Sequence, residues 1–121
     1  MEVKEFPNSD PVDFAARNDK PRMMQLFLYT DLDINRRRFY YDEHHGPAFN
    51  AACSHGSVEV AKMMINSSKE FGIDLKARDS YCFTALDEIN YKIRRGDPRK
   101  REIYNELKTM LEEEYSKMDQ S

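Results

Sequence analysis

The chain has 121 residues and a mass of 14.3 kDa, with 19 basic against 22 acidic side chains and a formal charge of −3. That is one domain by length, and net acidity excludes a general coat for nucleic acid, whose phosphates demand positive charge. No stretch approaches the roughly 18 consecutive apolar residues of a membrane helix. The first ten residues hold no apolar run, and the two cysteines, Cys53 and Cys82, are too few for a disulfide framework. Two reduced thiols, no membrane partner and a cytoplasmic location, extending to the nucleus, are the expectations.

Taken in chain order, Asp10-Pro11-Val12-Asp13-Phe14-Ala15-Ala16 opens with a capping residue and proline and predicts a short helix. Met23, Met24, Leu26, Phe27 and Leu28 predict an amphipathic helix behind it. The same pair returns as Pro47-Ala48-Phe49-Asn50-Ala51-Ala52-Cys53, followed by Val58, Val60, Ala61, Met64 and Ile65. A third copy begins at Thr84-Ala85-Leu86-Asp87-Glu88-Ile89-Asn90. The offsets are 47 − 10 = 37 and 84 − 47 = 37, and Asp42 and Asp79 are likewise 37 apart, each five residues ahead of its helix. The last helix, past Asp97-Pro98, sets Ile103, Leu107, Met110, Leu111, Tyr115 and Met118 on one side. Glu106, Lys108, Glu112, Glu113 and Lys117 are on the other. One such helix pair cannot bury its own apolar face, so the copies must stack.

The middle copy carries a more specific pattern. Asp42-Glu43-His44-His45, Pro47-Ala48-Phe49-Asn50, Ala52-Cys53-Ser54-His55-Gly56, Ser57-Val58-Glu59-Val60-Ala61-Lys62-Met63-Met64-Ile65 and Gly72-Ile73-Asp74-Leu75-Lys76 follow one another in order. In this the chain resembles the ankyrin repeat family, whose period is about 33 residues. The resemblance implies an all-α solenoid of three stacked helix-turn-helix units with hairpin-like fingers. Its repeats would run approximately 10–41, 42–78 and 79–114, with 115–121 as helix end and tail. It also implies a non-catalytic protein-binding module, a scaffold, adaptor or inhibitor, with no cofactor and a free state that is monomeric. Two departures stand out. His45 and Cys82 occupy the family's hairpin glycine, a costly exchange if the backbone there has positive φ. Asp13, Asn50 and Asp87 occupy its histidine, so a modified hydrogen-bond ladder between copies is expected.

The copies also differ in length. Six residues separate Asn35 from Asp42, where the family has about two, so the first finger gains about four residues, in the segment Arg36-Arg37-Arg38-Phe39-Tyr40-Tyr41. The second copy has a longer outer helix or loop over 66–71. The third has about six extra residues, predicted as a charged loop around 94–101, with Asp97 capping and Pro98 starting a helix. His44, His45, Cys53 and His55 form the one metal-like cluster, but their spacing matches no zinc module and no metal is expected. Cys53 and His55, two apart on a helix, do not face each other, so no nucleophile–base pair forms.

The resemblance places partner binding on the concave face. The residues it marks are Arg17, Asn18, Arg36, Arg37, Arg38, Phe39, Tyr40, Tyr41, Glu43, His44, Gly46, Ser54, His55, Ser80, Tyr81, Phe83 and Tyr91. Arg and Tyr are the side chains that dominate protein-interface hot spots. Two alternatives remain open: binding of nucleic acid or phosphate through the basic loops 36–38 and 94–101, or a structural part in a longer repeat array.

Overall fold

The computed structural model describes residues 11–30, 33–39 and 45–119, with the backbone alone for Arg38, Phe39 and His45. The described chain is mostly helix. Helix α1 spans Pro11–Arg17 and α2 spans Pro21–Tyr29. Both start on proline, whose missing N–H costs nothing in a first helical turn. Helix α3 (Ala48–Ser54), α4 (Val58–Asn66) and the single turn α5 (Ser68–Phe71) follow. Then come α6 (Ala85–Arg95), a 3-10 turn at Pro98–Lys100 and α7 (Arg101–Asp119). Two short strands, β1 (Arg38–Phe39) and β2 (His45–Gly46), pair antiparallel.

The helices form three pairs, α1 with α2, α3 with α4, and α6 with α7. The first members pack as a row, α1 on α3 and α3 on α6. The second members form another, α2 on α4 and α4 on α7. Small residues let the first row close up: Ala15, Ala16, Ala48, Ala51, Ala52, Cys53 and Ala85 are fully buried. The larger apolar side chains, Met24, Phe49, Val60, Met64, Leu75, Ile89, Leu107 and Leu111, complete the core. Each contributes roughly 1.5–3 kcal/mol by leaving water.

Local chemistry explains the ends. Thr84 and Asp87 form a reciprocal capping box on α6, Thr84 Oγ1 accepting from the Asp87 N–H and Asp87 Oδ2 from the Thr84 N–H. Asp97 caps the 3-10 turn, its Oδ1 accepting from the Arg99 N–H at 2.9 Å, with Pro98 first in the turn as the sequence predicts. Gly56 has φ +69, and a Cβ there would meet Tyr104 Oη at 3.3 Å. Its counterpart 37 residues earlier is Asp19, also at positive φ (+54).

One length expectation is corrected, and another, left between helix and loop, is decided. The extra residues of the third copy are not an open loop. Helix α6 has 11 residues against 7 in α3, so most of the insertion is one more helical turn, followed by the 3-10 turn. The segment after α4 is helix as well: it breaks at Ser67, resumes as α5 and ends at Gly72 in the left-handed region. Phe71 then meets Tyr29 edge to face, ring centroids 5.1 Å apart.

Candidate partner-binding face

Two fingers precede α3 and α6. Both begin at an Asp-centred turn: Asn35 N–H donates to Asp33 Oδ1 at 3.2 Å, and Lys76 N–H to Asp74 Oδ1 at 3.0 Å. The Asn35 side chain links the two turns. Its Nδ2 donates to the Gly72 carbonyl and its Oδ1 accepts from the Asp74 N–H, each at 2.8 Å.

The finger between α5 and α6 closes on Asp79. Its Oδ1 accepts from the N–H groups of Tyr81 (2.9 Å) and Phe83 (3.0 Å), while its own N–H donates to the Phe83 carbonyl. Cys82 takes φ +66, the positive value that the glycine position implies. Arg78 Nη1 donates to the Cys82 carbonyl at 2.8 Å. Asn50, buried on α3, anchors the base of this finger by donating from Nδ2 to the carbonyls of Ala77 (3.0 Å) and Phe83 (3.4 Å). That is one rung of the expected ladder, from the second copy to the third; Asp87 instead closes the α6 capping box. Tyr81 and Phe83 are exposed on this rigid turn.

The other finger is longer. Arg38 pairs with Gly46 and Phe39 with His45. The span is 46 − 38 = 8 positions, against 83 − 79 = 4 for Asp79 and Phe83. The difference is the four residues read from the sequence. It also corrects the expectation for His45. His45 lies in strand β2, paired with Phe39, so its backbone is that of a strand and not the left-handed one of the glycine position.

Among the first-row helices, Arg17, Ser54 and Tyr91 are equivalent at 37-residue spacing, as are Asn18, His55 and Lys92. Arg17 Nε is paired with Asp13 Oδ2 at 2.7 Å, and Asn18 Nδ2 donates to the Phe14 carbonyl. Ser54 Oγ donates to Glu88 Oε1 at 3.3 Å, and its carbonyl accepts from Tyr104 Oη. His55 Nδ1 sits 3.0 Å from the Ala51 carbonyl. Partial burial of the ring outweighs that carbonyl and, with Lys92 and Arg17 near, holds the His55 pKa below its ordinary value. Tyr91 is exposed.

Of the marked residues, then, Asn18, Arg36, Arg37, His55, Tyr81, Phe83 and Tyr91 are exposed. Arg17, Ser54 and Ser80 are half-buried, and Gly46 is buried in β2. Tyr40, Tyr41, Glu43 and His44 lie outside the described residues, as do the side chains of Arg38 and Phe39. The second basic loop is partly neutralised, because Asp97 takes Arg99 in a paired contact at 3.0 and 3.2 Å. Cys53 is wholly buried, and burial, with Glu88 near, pushes its thiol pKa up, away from nucleophile chemistry. Among the described residues no group of His, Cys, Asp and Glu is arranged to hold a metal ion, and no helix is long and apolar enough to cross a membrane.

Two linking residues were missed from sequence, Asn35 and Asp19. The signal for Asp19 was its alignment with Gly56. No protein-family model matches the chain, and no curated protein matches it.

Proposed function

We infer that the chain is an ankyrin-type repeat stack and acts as a non-catalytic protein-binding module through its fingers and first-row helices. The observation that carries this reading is the lengthened hairpin. Its paired strands span four positions more than the Asp79–Phe83 turn, and stacking between helices calls for no such length. The sequence of this finger over 36–41 holds three arginines and three aromatics. Tyr81 and Phe83 on the Asp79 turn, and Tyr91 on α6, add exposed aromatic area. Exposed aromatics, with the arginines of the first finger, suit a protein partner with acidic and apolar side chains. The compensated charge of Asp97 with Arg99, and the net charge of −3, favour this over phosphate binding.

The test is capture of the natural partner on the purified chain, identification by mass spectrometry, and titration against variants. Tyr40→Ala with Tyr41→Ala, and separately Tyr81→Ala with Tyr91→Ala, should each weaken binding by about 2 kcal/mol or more, the hot-spot range. Full affinity in both, with loss on Lys62→Ala in α4, would move the binding surface to the second-row helices.

A further inference from the structure

The third copy is longer than the second where its two helices join. Helix α3 passes to α4 through residues 55–57, whereas α6 adds a helical turn and reaches α7 through Gly96, Asp97 and the 3-10 turn. This longer corner is basic. Lys92, Arg94, Arg95, Arg99, Lys100 and Arg101 are six of the chain's 19 basic side chains, and Asp97 is the one acid over 92–101. The local charge is 6 − 1 = +5, so the rest of the chain, with 13 basic and 21 acidic side chains, carries −8. All six but Lys92 are exposed. Asp97 takes Arg99, and among the described residues the other five have no ion pair. Further along α7, by contrast, Lys108 and Lys117 pair with Glu112 and Glu114.

The fold itself does not account for this charge. Arg99, Lys100 and Arg101 stand at the start of α7, the positive end of a helix dipole, where cations are disfavoured. The backbone beneath them is fixed. The Gly96 N–H donates to the Lys92 carbonyl at 2.7 Å, so closely that a Cβ on Gly96 would lie 2.6 Å from that oxygen, and Asp97 caps the turn that follows. A fixed patch of one sign on an acidic chain concentrates positive potential at one place. The surroundings select the anion. Anchoring in lipid headgroups needs exposed apolar side chains, and Pro98 is the one exposed apolar residue over 92–101. Single-stranded nucleic acid is held by stacked aromatics, and this segment has none. A duplex extends beyond the corner, where the charge of −8 repels its phosphates. A short run of carboxylates meets neither obstacle, and arginine forks take carboxylates in paired hydrogen bonds, as Arg99 takes Asp97 here. We propose that the α6–α7 corner is a docking site for an acidic segment of a protein, its carboxylates held by Arg94, Arg95, Lys100 and Arg101. The site is separate from the fingers and does not rest on their role.

Fluorescence anisotropy of a labelled hexaglutamate peptide, titrated with the full chain, tests it. The expected result is saturable binding that weakens as salt rises. Arg94→Ser with Arg95→Ser, and separately Lys100→Ser with Arg101→Ser, should each weaken it roughly tenfold or more, the scale of one lost charge-assisted hydrogen bond. Lys20→Ser with Lys69→Ser removes the same charge from exposed sites elsewhere and should leave binding unchanged. The Lys100 and Arg101 variant should melt no lower than the parent, because its cations leave the positive end of a helix. Should a corner variant fail to fold, amide shifts of the isotope-labelled parent on adding the peptide decide, and they are expected over 92–101. Absence of saturable binding at low salt overturns the proposal, as does an equal loss in the Lys20 and Lys69 variant, or shifts confined to other residues. Tighter binding of an oligothymidylate, or of phosphatidylserine vesicles, than of the peptide would overturn it in favour of phosphate.

Discussion

The carboxylate of Asp19 accepts a 2.9 Å hydrogen bond from the backbone N–H of Val60, 41 residues away. The turn between α1 and α2 thereby caps α4 in the next pair. Ser57, the residue at the α4 N-cap, supplies no side-chain cap of its own. The negative charge also sits at the positive end of the α4 dipole. Asp19 holds φ +54 to make this contact, so its backbone cost is offset by a helix end in another copy.

Asp19→Ala should therefore destabilise the chain by about 1–2 kcal/mol, the usual scale of a lost cap, with a β-carbon still held at positive φ. Asp19→Asn should retain most of the stability, because its amide oxygen can accept the same bond. Thermal melts followed by circular dichroism check this. Equal melting temperatures for the parent and Asp19→Ala would show that the inter-copy cap contributes nothing.

Cys82 and His45 should respond oppositely to glycine. At φ +66, Cys82→Gly relieves backbone strain of about 1 kcal/mol and should raise the melting temperature. His45→Gly should lower it, because glycine weakens the extended strand that His45 occupies. A rise at His45 would mean that its backbone is not strand.

Much of the fold was legible because the signals were local. The 37-residue offset located the helix pairs, the Asp79-to-Cys82 spacing located a left-handed residue, and Asp97-Pro98 marked a cap. What was missed depends on tertiary placement. Nothing near Asp19 says that its carboxylate reaches Val60, and nothing near Asn35 says that it bridges Gly72 and Asp74. The α6 extension was misread because Arg94 and Arg95 looked like loop charge. Ile93 just before them, partly buried against the core, was the overlooked helical signal. His45 was misplaced because an alignment by offset cannot see that this position pairs with Phe39 as a strand. Of the candidate face, the exposed aromatics were legible, while Gly46 was not, since its strand buries it.

The long last helix is fastened by two tyrosines. Tyr115 Oη donates to the Leu75 carbonyl at 2.7 Å, and Lys76 Nζ lies 5.0 Å from the same ring. Burial pushes the Tyr115 pKa up to about 12, against about 10 in an unfolded chain. The fold thus favours the neutral phenol, the form able to donate. This stabilisation is complete below pH 10 and is lost as pH rises through 12. Tyr115→Phe should cost about 1 kcal/mol at neutral pH and flatten the fall in stability between pH 10 and 12. Urea melts across that range provide the check; an unchanged alkaline slope would remove Tyr115 from the account.

The two thiols are both free, Cys53 buried and Cys82 exposed. Alkylation of the native chain should label Cys82 rapidly and Cys53 only as fast as the fold opens. Peptide mass spectrometry reads both rates. Equal rates would contradict the packing of α3 between α1 and α6.

The binding face itself is tested most directly by titrating the captured partner into isotope-labelled chain and mapping backbone amide shifts. The account predicts the largest changes at residues 36–46, 54–55, 80–83 and 91, with α2, α4 and the exposed side of α7 little affected. Changes concentrated on α4 and α7, with the fingers silent, would contradict it.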